Sequence, residues 1–132
     1  MQKSATVAVI NDNKKILLLR RGDTAPWMPG KYCLPGGKVD NNESLINCAA
    51  RELGEETGIY VDNINCLIPY NIFYSSSYNK IVFLICLCNP VVCLNWEHDN
   101  YVWVSSKESL WHDLVPGLKA TIKSFCARGL MN

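Results

Sequence analysis

Three glutamates stand where a helix should be apolar. At 100° per residue, Leu45, Cys48 and Ala49 form a stripe suited to a core. Continuing that stripe by threes and fours reaches Glu52, Glu55 and Glu56. Two like charges about 4 Å apart repel by roughly 4 kcal/mol at an effective dielectric near 20, and Glu52 with Glu56 is an unfavourable i,i+4 pair. Such acids either take up protons or are neutralised by a cation. Oxygen ligands without a neighbouring histidine suit Mg²⁺ or Mn²⁺, which complete their shell with water and phosphate oxygens. The same spacing also fits glutamates that merely solvate one helix edge.

The flanking residues favour the cation. Gly36-Gly37 lets the backbone turn sharply and leaves a carbonyl free to approach a metal. Arg51, four residues before Glu55, is spaced to hold a carboxylate in one rotamer. Glu43 falls in the expected first turn, where a helix favours negative charge; capping is its plainer role.

The elements that must position these groups follow from periodicity. The spacing predicts a helix from about residue 43 to 57, with Asp40 and Glu43 as a capping box and Gly58 as its left-handed end. Thr6–Ile10 and Lys15–Arg20 flank Asn11-Asp12-Asn13-Lys14 and read as a hairpin, its leucine run buried on both faces. Residues 21–31 read as a loop and Tyr32–Leu34 as a short extended piece. Further strands are expected at Tyr60–Ile68, Tyr70–Tyr74, Ile81–Cys88 and Tyr101–Val104. A last helix, Pro116–Ala127, gathers Leu118, Ile122, Phe125 and Cys126 on one face. Strands dominate, with two helices to cover them, so the expected fold is α+β: a mixed sheet in an α/β/α sandwich.

With 132 residues, the chain is expected to be a single domain spanning 1–132. Thirteen Lys+Arg against twelve Asp+Glu, with 48% hydrophobic residues, argue against disorder and against a strongly basic nucleic-acid binder. The longest apolar run, Ile81–Cys88, has eight residues, far short of the roughly 20 that cross a bilayer. No signal peptide is read, because Asn11–Lys15 interrupts the first apolar stretch. Seven cysteines without a CxxC suit buried thiols in a reducing compartment, hence a cytoplasmic location.

Gly37-x5-Glu43-x7-Arg51-Glu52-Leu53-x-Glu55-Glu56-x-Gly58-Ile59 matches the Nudix box at every defined position. Arg20-Arg21 before a loop, Leu34-Pro35-Gly36-Gly37-Lys38, Trp103-Val104 after an acidic residue, and a proline opening the final helix resemble the MutT-type branch. The resemblance implies a Nudix fold and hydrolysis of a nucleoside diphosphate linked to another moiety, with Mg²⁺ or Mn²⁺. It implies that the Gly37 carbonyl, Glu52, Glu55 and Glu56 bind the metal, that Arg51 orients a glutamate, and that Glu43 steadies the loop–helix junction between Gly36 and Gly58. The general base differs between Nudix branches: Glu52 is the first candidate and Glu97 the second. Lys38 and Arg21 are candidate substrate contacts, against an exposed loop lysine and a strand-end charge. Trp27, Tyr32, Phe73 and Tyr74 are candidate stacking partners for a base, Tyr74 first, although core or rim packing is the commoner role for any one of them; His98 and His112 read as bystanders.

Markers of other branches are weak. The stretch Tyr74-Ser75-Ser76-Ser77 lacks the proline of ADP-ribose hydrolases, Tyr78 falls beside the tyrosine position of dinucleoside polyphosphate hydrolases, and the motif of NADH-type members is absent. These features favour nucleoside triphosphates, 8-oxo-dGTP among them, cleaved to monophosphate and pyrophosphate. MutT-type enzymes read oxidised guanine with an asparagine where this chain has Val115-Pro116-Gly117-Leu118. Asp113 and Asn100 are the nearest replacements. The alternatives are another Nudix hydrolase (of dinucleoside polyphosphates, ADP-ribose or nucleotide sugars) and a non-catalytic nucleotide sensor. The partner is a small nucleotide, with neither nucleic acid nor membrane, and the chain acts as a monomer or homodimer.

Overall fold

Strand β1 (Gln2–Ile10) alternates two sets of side chains and so serves two layers. Ala5, Val7 and Val9 point to one face; Ala8 and Ile10 point to the other. β2 (Ile16–Arg21) follows through a tight turn in which Asn11 Oδ1 accepts from the Asn13 and Lys15 amides, each at 3.0 Å. Leu17, Leu18 and Leu19 are all fully buried, as a strand covered on both faces requires.

The computed structural model describes residues 2–61, 66–76 and 79–132, with the backbone alone for 71–76. After β2 come β3 (Tyr32–Cys33), β4 (Gly36–Lys38), α1 (Leu45–Thr57), β5 (Ile68–Ser76), β6 (Asn79–Leu87), β7 (His98–Val104), α2 (Ser106–Ser109) and α3 (Leu118–Ala127). The sheet has seven strands, ordered β3-β2-β1-β6-β5, with β4 also on β1 and β7 also on β2. Among the described strands only β1 and β6 pair in parallel, so the sheet is mixed. α1 lays Cys48, Ala49 and Leu53 on one face, and α3 lays Leu118, Ile122 and Phe125 on the other. The sandwich of the sequence reading is therefore observed. All seven cysteines are thiols.

Some boundaries differ from expectation. Helix α1 begins at Leu45, because Ser44 Oγ takes the Asn47 amide at 3.1 Å as N-cap. Asp40 and Glu43 instead close a separate turn ahead of the helix: Glu43 N donates to Asp40 O, and Asp40 N donates to Glu43 Oε1. Glu43 thus lies before the first helical turn. Gly58 ends α1 in the left-handed conformation (φ 70°), as expected. Tyr60, Val61, Cys66 and Leu67 are not in a strand, and residues 62–65 of that expected strand lie outside those described. β4 and α2 were not expected at all.

β4 packs onto β1 because Gly36 has no side chain. A Cβ on Gly36 would fall on the Ala5 carbonyl oxygen and 2.9 Å from the Thr6 Cα, both backbone atoms of β1. Gly36→Ala is therefore expected to destabilise the fold by about 3 kcal/mol and to lower Tm by roughly 10 °C in a thermal unfolding scan. An unchanged Tm would contradict this packing.

Candidate active site

Strand β4 turns into the segment before α1 directly above the helix's last turns, which brings Gly37 against Glu52. A Cβ on Gly37 would lie 2.5 Å from the Glu52 carboxyl carbon. Arg51 ties the acids into one network. Its Nε and Nη2 donate to Glu43 Oε2 and Oε1 at 2.8 and 3.0 Å, a bidentate pair. Nη1 donates to Glu52 Oε1 at 2.9 Å and to Glu55 Oε2 at 3.5 Å, and Nη2 reaches the Lys38 carbonyl at 3.4 Å. The Arg51 guanidinium thus links the loop to the helix.

That network sets the charge state of Glu43. The Arg51 hydrogen bonds, helped by the Asp40 amide, hold its carboxyl at about 2, well below the usual carboxylate range. A carboxyl depressed in the folded state stabilises above its unfolded value of 4.5 and loses that contribution as pH falls towards 2. The difference in Tm between wild type and Glu43→Gln is expected to be clear at pH 7 and to shrink as pH drops through this window. An equal difference at both ends would show that the pair is not the cause.

Glu56 is the buried acid, only 2% exposed beneath Glu52. Burial, reinforced by the neighbouring Glu52, pushes its carboxyl up to about 10. Its Oε2 faces the Gly36 amide at 3.4 Å, and its Oε1 lies 3.8 Å from His98 Nε2. Glu55 is different: its side chain is 53% exposed on the outer edge of the cluster. Among the described residues, no three acidic, histidine or cysteine groups converge into a ready-made metal cage. The donors present are nevertheless hard oxygens around a buried carboxyl that, among the described residues, has no lysine or arginine ion pair. Mg²⁺ fits such a set, since it takes one or two carboxylates and fills its octahedron with water and phosphate oxygens.

A cleft of about 940 Å³ opens beside this cluster. Gly36, Gly37, Lys38 and Glu56 form one end, and Arg21, Trp27, Glu97 and His98 flank it. The floor under α3 carries Ser4, Thr6, Ile81 and Phe83. Arg21 Nε donates to the Trp27 carbonyl at 2.6 Å, and its guanidinium lies 5.3 Å from the Trp27 ring centre. Lys38 is exposed at the rim.

Arg21, Trp27, Gly36, Gly37, Lys38, Glu56 and Glu97 thus meet at one cleft, while Glu43, Arg51, Glu52 and Glu55 form the network beside it and do not line it. Tyr32 does not line it: its hydroxyl accepts from Asn100 Nδ2 at 3.1 Å, and its ring packs edge-on to His112 at 4.7 Å. Asn100 is committed to that bond, and Asp113 to an ion pair with Lys31 at 3.0 Å. Neither replaces the missing amide, whereas Val115–Leu118 does line the cleft. The side chains of Phe73 and Tyr74, and all of Tyr78, lie outside the described set. His98, read from sequence as a bystander, is instead buried against Glu56.

Comparison with known proteins agrees with this geometry. A family model described as NUDIX domain matches residues 1–125. The chain is 24% identical over 135 residues to the nucleoside triphosphatase NudI of Salmonella arizonae, covering 92% of this chain and 95% of that protein. It superposes on a MutT protein from Methanosarcina mazei Go1 with a TM-score of 0.76 and 29% identity, covering 97% of this chain and 94% of that one. A structure of MutT from a study of Aliivibrio salmonicida and Vibrio cholerae is similar in fold, with a TM-score of 0.80 at 21% identity over 96% of this chain and 98% of that one.

Proposed function

The chain belongs to the NUDIX family, and from that premise we propose that it is a divalent-metal-dependent pyrophosphohydrolase of nucleoside triphosphates, releasing monophosphate and pyrophosphate. The observation that carries this reading is the buried Glu56 at one end of a nucleotide-sized cleft, beside Gly37, which lies against the Arg51-held Glu52. The similarity to a nucleoside triphosphatase over nearly the whole chain supports the substrate class. In this reading residues 1–132 form one catalytic domain, working alone or as a homodimer.

The Gly37 carbonyl, Glu52, Glu55 and Glu56 would hold Mg²⁺ or Mn²⁺, which neutralises polyphosphate oxygens and acidifies a bound water. Arg51 keeps Glu52 in one orientation, and Glu43 fixes Arg51 from the loop side. Lys38 and Arg21 offer positive charge to phosphate oxygens from the rim and flank of the cleft. Glu52 is the first candidate to take the proton of the attacking water; Glu97, which lines the cleft, is the second. Trp27 presents a ring that is 52% exposed for stacking on a base.

The base end predicts broad specificity. The floor offers the hydroxyls of Ser4 and Thr6 rather than an amide, so oxidised guanine lacks a paired donor and acceptor there. A panel of dNTPs, 8-oxo-dGTP, Ap4A, ADP-ribose and GDP-mannose with and without Mg²⁺ tests the reading. Triphosphates are expected to be hydrolysed only with the metal. Turnover confined to the diphosphate-linked compounds would move the chain to another Nudix activity, and saturable binding without turnover would make it a sensor. Among the described residues, no helix is long and apolar enough to cross a membrane.

A further inference from the structure

The pairing of β2 with β7 slips by one residue at Arg20 and Arg21: Arg20 faces Asn100, but Arg21 faces His98. Asp99 is the extra residue, drawn outward by Arg20 Nη1 at 2.6 Å. Bulges of this kind redirect the neighbouring side chain. Here the redirected side chain is His98, 1% exposed, with Nε2 3.8 Å from Glu56 Oε1 and 3.5 Å from Cys33 Sγ. When a cation holds Glu56 as a carboxylate, which only accepts, Nε2 faces it as the donor if the ring proton is there; Nδ1 has no partner among the described residues.

We propose that His98 is a positioning residue for the metal end of the cleft, its Nε2–H and the Gly36 amide forming the wall against which the Glu56 carboxylate is set. Each faces one Glu56 oxygen, at 3.8 and 3.4 Å, and contacts of this type shorten when a site is loaded. Outer partners of metal-holding carboxylates tune metal affinity in this way. The inference rests on the reading of Glu56 as a metal ligand.

The test is Mn²⁺ binding to the substrate-free protein, followed by the electron paramagnetic resonance of free Mn²⁺. His98→Leu keeps the bulk and loses the N–H; His98→Gln places an amide N–H near the Nε2 position. His98→Leu is expected to weaken Mn²⁺ binding by about tenfold or more, and His98→Gln to restore most of it. Wild-type binding by His98→Leu, or equal loss in both variants, would overturn the positioning role and leave His98 as core packing against Cys33. Glu56→Gln separates the two readings: if it binds Mn²⁺ as wild type does, Glu56 is no ligand and both fail.

Discussion

Glu56→Gln is expected to lose about three orders of magnitude in kcat and yet to unfold at or above the wild-type temperature in metal-free buffer. The side chain is buried, and burial with the neighbouring Glu52 pushes its carboxyl well above the usual carboxylate range. At neutral pH the metal-free protein therefore holds Glu56 protonated, and an amide of the same shape replaces it with little change in packing. Charge at this position matters only when a cation is there to be held. Two measurements check this: steady-state turnover of a dNTP, and Tm with and without Mn²⁺. Wild type is expected to gain Tm with Mn²⁺ and the variant to gain much less. A variant that keeps wild-type turnover would remove Glu56 from the chemistry.

The second large effect is expected from a residue with no side chain. Gly37→Ala would place a Cβ 2.5 Å from the Glu52 carboxyl carbon, closer than real Cβ atoms come. The atom that must give way is the end of a flexible side chain, so the fold survives and Glu52 moves. Arg51 holds Glu52 Oε1 from the other side, which restricts where the displaced carboxylate can go. A displacement of about 1 Å at a catalytic group costs on the order of 10²-fold in rate. The expected result is that loss in kcat with Tm within a few degrees of wild type. This contrasts with Gly36→Ala, whose Cβ meets β1 backbone and should cost stability instead. If Gly37→Ala kept full activity, Glu52 would not be placed by this contact.

The acids were legible because each obeys a local rule. Glu52, Glu55 and Glu56 interrupt an apolar stripe of helical period, and Gly58 supplies the helix end within the same few residues. The leucine run of β2 likewise announced a strand covered on both faces. The N-cap was not legible in this way: Asp40 begins a run of polar residues that ends at Ser44, and spacing to Glu43 pointed to Asp40. Ser44 takes the role because its hydroxyl reaches the Asn47 amide while Glu43 is drawn to Arg51.

What was not legible depends on pairing between distant segments. Gly36-Gly37-Lys38 has no strand propensity of its own; it pairs with β1 because Gly36 brings no Cβ against the Ala5 and Thr6 backbone. His98 sits among polar residues in Trp96-Glu97-His98-Asp99-Asn100, where exposure is the natural reading. A register slip against β2 turns it inward, and no local periodicity records such a slip. The cleft floor has the same origin, since Ser4, Thr6, Ile81 and Phe83 meet only through the parallel pairing of β1 with β6.

The most direct test of the central claim is the identity of the products formed from one dNTP and Mg²⁺, followed by ³¹P NMR with wild type and Glu56→Gln side by side. Monophosphate and pyrophosphate from wild type, with no signal change for Glu56→Gln, is the predicted result. Release of diphosphate and inorganic phosphate, or equal turnover by the two proteins, would contradict it.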